Sequence, residues 1–307
     1  MCLLHTGKFI VANFSDPALL NKQDIEAVSR WLIKNSVGEN CTFPLDLLAI
    51  IEAWGIETEY INDNSLDYVA KITLTRCPRI TINSQYNKDE LKDFSKIDPK
   101  EAARLRFSIG HELGHFALNA HNDPDIRTHM LEENHSYFTD KYKRKVEAEA
   151  DKFAAALLMP DFAMKNYLNY ANKPLEAAQK ISTDFAVSLT PAFLRLAKLS
   201  DNIVACLFIH TSTQKIKRVE YSKNWSDIRT EHYPYKCLYI DRNTEIPSGS
   251  ATAKLLKNSE ATVKGIRNST NIDRWFSNYK GENKIHEWPY LFSDRIITFI
   301  EVDYPDI

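Results

Sequence analysis

The pentapeptide His-Glu-Leu-Gly-His at residues 111–115 constrains this chain more than any other feature. On an α-helix, residues four positions apart lie on one face, so the imidazoles of His111 and His115 can reach a single metal ion. Glu112 lies one position further round, within reach of a metal-bound water. This is the His-Glu-x-x-His pattern of zinc hydrolases, in which each position has a chemical role.

The sequence around the pentapeptide predicts the helix that this pattern requires. Residues 98–101, Asp-Pro-Lys-Glu, form a typical helix start, with an acidic N-cap, proline at the first helical position and an acid at the third. Residues 102–120 contain no proline, and Phe107 and Leu118 align with the two histidines. An unliganded histidine pair would be costly to bury on such an apolar face. We therefore interpret both histidines as metal ligands rather than as core or surface residues.

The first candidate for a third ligand is His121, which lies six residues after His115. The pattern His-Glu-x-x-His-x-x-Gly-x-x-His uses this offset, but it needs a glycine where this chain has Leu118. Leucine favours continuation of the helix, which would carry His121 along the axis and away from His111. His121 is therefore the less favoured candidate.

The second candidate is Glu147, in a helix predicted over Val146–Met159 and ended by Pro160. Glu147 and Asp151 are four residues apart and share a face of this helix. We predict that Glu147 is the third ligand to zinc. We predict that Asp151 accepts a hydrogen bond from the distal nitrogen of a ligating histidine and so fixes its orientation.

Two segments together resemble the ImmA/IrrE family of bacterial and phage metallopeptidases. They are residues 106–116, RFSIGHELGHF, and residues 147–160, EAEADKFAAALLMP. Upstream, residues 45–56 are similar to an early helix of that family, and residues 80–83 to the strand before its active-site helix. The resemblance covers roughly residues 20–160. The chain departs from the family pattern at Ser108, at Gly110 and in a polar insertion, residues 122–146, which we interpret as a loop or lid.

The resemblance implies a zincin fold, Zn²⁺ bound by His111, His115 and Glu147, and Glu112 as the catalytic base. It also implies a protein substrate, typically a helix-turn-helix repressor or an antitoxin. Four residues in or next to the insertion are candidate donors to the oxyanion that forms during peptide hydrolysis. They are His129, His135, Tyr137 and Tyr142.

The predicted elements indicate an α+β protein with three parts. Residues 1–162 are expected to form a zincin-like metallopeptidase domain, with helices at 22–36 and 43–54 and a small mixed sheet from strands at 56–61, 68–75 and 79–83. Residues 163–201 form a helical segment. Residues 202–307 form a second α+β domain, possibly a sensor, with strands at 203–209, 216–221, 237–240 and 296–302, a helix at 251–257 and a polar connection at 268–283.

The helical segment resembles a helix-turn-helix at residues 177–199, with Thr190 as N-cap and Pro191 at the first helical position of the second helix. That helix offers only Arg195 and Lys198 for phosphate contacts, and its other side chains are mainly apolar. We therefore favour packing or protein docking over DNA binding, which remains an alternative.

Composition indicates a cytoplasmic protein. The formal net charge of −2 argues against a general nucleic-acid or membrane-surface binder. The five cysteines are widely spaced, which predicts reduced thiols. Neither a secretory signal nor an apolar run long enough for a membrane span is evident. The sequence thus predicts a zinc endopeptidase that cleaves a regulatory protein. The alternatives are a DNA- or repressor-binding regulator, or a toxin–antitoxin partner, with a structural or vestigial zinc site.

Overall fold

A computed structural model describes residues 24–75, 77–119, 140–168, 173–231, 238–257, 267–276, 279 and 283–303. The chain is α+β, and these residues form ten α-helices and eight strands in two sheets. They divide into two compact units. The first contains the described residues up to Asp161 together with Asp184–Val187, and the second contains the others. The three-part domain division predicted from the sequence stays a prediction.

The first unit contains five helices and three strands. They are α1 (Ile25–Ser36), α2 (Leu47–Ala53), β1 (Glu57–Ile61), β2 (Ala70–Thr73), β3 (Arg79–Asn83), α3 (Lys88–Leu91), α4 (Pro99–Asn119) and α5 (Asp140–Leu158), with a 3₁₀ turn at Phe94–Lys96. Backbone N–H groups in the first turns of three helices donate to aspartate side chains at 3.0–3.2 Å; the aspartates are Asp24, Asp46 and Asp98. The predicted cap at Asp98 is therefore confirmed.

Three helices of this unit start at different residues from those predicted. The first starts at Ile25 rather than Lys22, because the side chain of Asp24 caps it. The second starts at Leu47 rather than Phe43, because the side chain of Asp46 caps it. The fifth starts at Asp140 rather than Val146, so that residues 140–146 belong to the helix and not to a loop. Those seven residues contain neither glycine nor proline, and lysine and arginine are good helix formers.

The sheet of the first unit is small and mixed, as predicted. Its strand order is β1–β3–β2, with β1 parallel and β2 antiparallel to β3. Ile80 and Ile82 of β3 are fully buried on one face, whereas Lys71 and Thr73 of β2 are exposed on the other. Among the described residues, β2 is therefore an edge strand, and it packs beside α4.

Helices α4 and α5 pack so closely that one of the two glycines of α4 has almost no space for a side chain. A Cβ added at Gly114 would lie 3.0 Å from Ala150 Cα and 3.1 Å from Ala150 O. A Cβ added at Gly110 would lie 3.4 Å from Ala154 Cβ, which is an ordinary contact. The two backbones therefore come nearest at Gly114, beside His115.

The second unit contains the remaining helices and an antiparallel sheet. Its elements are α6 (Asp161–Leu168, whose first residue belongs to the first unit), α7 (Pro174–Asp184), α8 (Leu189–Leu199), β4 (Val204–His210), β5 (Lys215–Tyr221), α9 (Lys223–Glu231), α10 (Ala251–Lys257), β6 (Asn268–Asn271), β7 (Lys284–Leu291) and β8 (Arg295–Val302). The strand order is β5–β4–β8–β7–β6. No helix in the described part of the chain is both long and apolar enough to cross a membrane.

Several predictions for this unit were wrong. Helix α9 and strands β6 and β7 were not predicted, and residues 238–240 lie outside any strand. Helix α8 starts at Leu189 with Ser188 as its N-cap, so Thr190 is not the cap and Pro191 is at the third helical position. Proline is tolerated there because the N–H groups of the first turn have no partner within the helix.

Helix α8 is part of the hydrophobic core of the second unit. It packs against β4 and β5, and the ring of Phe193 lies 5.5 Å from that of Tyr290 in β7, measured between centroids. Arg195 is only 2% exposed, so it is not available to contact DNA phosphates. The structure therefore supports the packing role of this helix over a recognition helix.

The contact at Gly114 predicts opposite effects for two alanine substitutions. Gly114→Ala should lower Tm by roughly 3–8 °C, because the new methyl group must displace the backbone of α5. Gly110→Ala should leave Tm unchanged or raise it, because its methyl group fits and alanine favours a helix by up to about 1 kcal/mol over glycine. Thermal unfolding followed by circular dichroism measures both. Equal Tm values for the two variants would show that the helices are not held this closely.

Candidate metal centre

Three side chains from α4 and α5 converge on one point. The Nε2 atom of His111 lies 3.0 Å from the Nε2 atom of His115 and 3.1 Å from Oε2 of Glu147. The Nε2 atom of His115 lies 3.5 Å from Oε1 of Glu147. Among the residues that the structure describes, these three form the one group of histidine, cysteine or acidic side chains that could hold a metal ion.

The donor set fits a metal ion better than it fits hydrogen bonding alone. The Nδ1 atom of His111 lies 2.9 Å from Oδ1 of Asp151, so Nδ1–H donates to that carboxylate and Nε2 keeps its lone pair. This lone pair then points at the Nε2 atom of His115 and at the Glu147 carboxylate. Tetrahedral bonds of 2.0–2.1 Å place neighbouring ligand atoms about 3.3 Å apart, close to the separations seen here.

The spacing within each helix explains why these residues meet. His111 and His115 are one turn apart on α4, and Glu147 and Asp151 are one turn apart on α5. The histidine side chains are 17% and 14% exposed, whereas Glu147 is 60% exposed at the open side of the site. Glu149 instead lies 3.8 Å from the ammonium of Lys145. The structure thus brings together His111, His115, Glu147 and Asp151 as the sequence predicted.

Glu112 lies beside this centre and is held by the sheet. Its Oε2 accepts a hydrogen bond from the backbone N–H of Ile72 in β2 at 2.9 Å. Burial raises the pKa of Glu112, and the hydrogen bond from Ile72 opposes this rise. This contact could not be predicted from the sequence, because Ile72 is forty residues away and contributes only a main-chain group.

The two histidines are electrostatically different. The hydrogen bond to Asp151 raises the pKa of His111, against the effect of burial. Burial lowers the pKa of His115, and the neighbouring His111 lowers it further. Without a metal, His111 therefore takes up a proton at higher pH than His115 does. A metal ion must displace that proton or capture the neutral form.

The other predicted site residues cannot be placed. The side chains of His121, His129, His135, Tyr137 and Tyr142 all lie outside the described residues. Their roles as an alternative ligand or as oxyanion donors stay predictions.

The geometry predicts which of two neighbouring acids binds metal. Glu147→Ala should weaken Zn²⁺ binding by at least about 100-fold, because it removes a ligand, whereas the matched Glu149→Ala variant should bind as the wild type does. Competition with a chromophoric chelator measures both affinities. If His121→Ala releases the metal and Glu147→Ala does not, the alternative ligand set is correct.

Comparisons with known proteins agree with this geometry. Residues 98–196 match the family model Peptidase_M78, described as IrrE N-terminal-like domain. No curated protein matches the sequence significantly. Among solved structures, a Mycobacterium tuberculosis transcriptional regulator is similar in fold, with 10% sequence identity and a TM-score of 0.53; the match covers 92% of this chain and 76% of that one.

Proposed function

We propose that the protein is a zinc-dependent endopeptidase that acts on a regulatory protein, and the match of residues 98–196 to the IrrE N-terminal-like domain supports this proposal. One observation carries this proposal. Three ligand atoms from His111, His115 and Glu147 converge on one point, and the carboxylate of Glu112 is fixed beside it. Two imidazoles and one carboxylate leave a coordination position open, as in catalytic rather than structural zinc sites.

Each side chain of the site then has a task. When bound, Zn²⁺ would lower the pKa of a coordinated water towards neutrality and polarise the scissile carbonyl. Glu112 takes a proton from the attacking water and delivers it to the leaving amine. Its burial suits this task, because a carboxylate of raised pKa accepts a proton more readily than an exposed one. Asp151 holds the ring of His111 in its ligating orientation.

The edge strand suits a protein substrate. An extended chain can add to an exposed sheet edge through main-chain hydrogen bonds, with little dependence on its sequence. Strand β2 is such an edge, and its Ile72 lies against the catalytic carboxylate. From the family resemblance we propose a helix-turn-helix repressor or an antitoxin as the substrate. The protein would act in the cytoplasm, in transcription regulation or a stress response.

A second candidate function is that of a regulator without protease activity. The likeness in fold to a transcriptional regulator favours it, whereas the burial of Arg195 argues against DNA binding through α8. Under this alternative, the chain should shift a DNA fragment in a gel with a steep dependence on salt. It should also keep its regulatory effect in the Glu112→Gln variant.

The proposed mechanism predicts that Glu112→Gln separates metal binding from catalysis. The variant should bind Zn²⁺ as the wild type does but cleave its substrate at least about 100-fold more slowly, because the amide cannot accept the proton. The assay mixes the zinc-loaded protein with the product of any helix-turn-helix repressor gene found beside its own and follows cleavage by gel and mass spectrometry.

Glu52→Gln is the matched control, because it makes the same change at an exposed position of the same unit. This variant should cleave normally, and chelation of zinc should stop cleavage by the wild type. Undiminished cleavage by Glu112→Gln would refute the assignment of Glu112 as the base.

A further inference from the structure

We propose that Lys71 makes this protein prefer a substrate segment with an acidic side chain next to the cleaved bond. The proposal rests on the proposed endopeptidase function and concerns the specificity of that same site. Lys71 lies in the edge strand β2, next to the residue whose N–H holds Glu112.

The direction of the main-chain groups in β2 sets the position of Lys71 relative to a bound chain. The N–H of Ile72 donates to Glu112, so it faces away from β3. Main-chain groups alternate along a strand, so those of Ala70 also face outward and those of Lys71 face β3, where Thr81 is its register partner. The outward main-chain groups of Ala70, a residue that is 6% exposed, therefore face the side on which an added chain would lie.

Such a chain would meet Lys71 at a position without hydrogen bonds across the new edge. At these positions of an antiparallel pair the opposed side chains are nearest to each other, and opposite charges attract. Lys71 lies between Ala70, where the chain would pair, and Ile72, where Glu112 is held. The residue opposite Lys71 is therefore within about two residues of the peptide bond that is attacked by the water next to Glu112.

The side chain of Lys71 is available for this contact. It is exposed, and its ammonium lies 5.9 Å from the centroid of the Tyr68 ring, which supports it near the strand.

A second cation lies on the other side of the site. Arg144 is exposed and precedes Glu147 by three residues, so the two share a face of α5. A bound metal ion would offset the negative charge of the ligand carboxylate. Arg144 and the metal ion would then offset part of the negative charge that the exposed carboxylates of Glu147 and Asp151 place on α5.

Cleavage of a proteome-derived peptide library tests the proposal with the zinc-loaded full chain. Mass spectrometry of the products should show Asp and Glu enriched about fivefold at one fixed position within two residues of the cut. Lys71→Glu should reverse this preference to Lys and Arg. The matched control Lys100→Glu, an equal charge change at the exposed start of α4, should keep the acidic preference.

A binding measurement separates this proposal from the proposed function. Fluorescence anisotropy with the zinc-loaded Glu112→Gln protein compares labelled Val-Glu and Val-Lys repeat peptides. We expect the acidic peptide to bind more tightly than the basic one, and we expect Lys71→Glu to abolish this difference. That result would support recognition by Lys71 even if the wild type cut no peptide and the endopeptidase proposal failed. If the wild type and Lys71→Glu show the same preference between acidic and basic peptides, in cleavage or in binding, the proposed role of Lys71 is wrong. The endopeptidase proposal would be unaffected by that result.

Discussion

The near contact between the backbones of α4 and α5 is the constraint on which the rest of the candidate site depends. Gly114 faces the main chain of Ala150, and a methyl group there would have to displace it. Only this closeness lets the short carboxylate of Glu147 reach the same point as two imidazoles from α4. The glycine within the pentapeptide is therefore as necessary to the geometry as the histidines that flank it.

A third element completes the site through the main chain. The N–H of Ile72 fixes Glu112, so the edge strand positions the base and borders the space for a substrate at the same time. The two helices provide the metal ligands, and the strand provides orientation and, as we propose, recognition. A shift of β2 relative to α4 would therefore disturb base and substrate together.

The parts of this arrangement that follow from sequence are those set by local periodicity. The histidine pair, the Glu147 and Asp151 pair and the cap at Asp98 each depend on residues within one or two helical turns. The strand β3 was predicted with its observed bounds for a similar reason, since its apolar residues alternate. The contacts of Glu112 with Ile72 and of Gly114 with Ala150 join segments that are far apart in the sequence. Both contacts involve main-chain atoms, so the pattern of side chains along the sequence does not predict them.

The failure to predict β7 has a specific physical cause. Pro289 lies within this strand, and proline cannot donate a main-chain hydrogen bond, which argues against a central strand. Among the described residues, β6 pairs with β7 only as far as Glu287, so no described strand requires a donor from Pro289. Helix α8 packs against β4 and β5 of the same sheet and its Arg195 is buried, so a segment with a helix-turn-helix pattern is part of the core. In both places, contacts between distant segments determine the structure, and the local sequence pattern alone does not predict it.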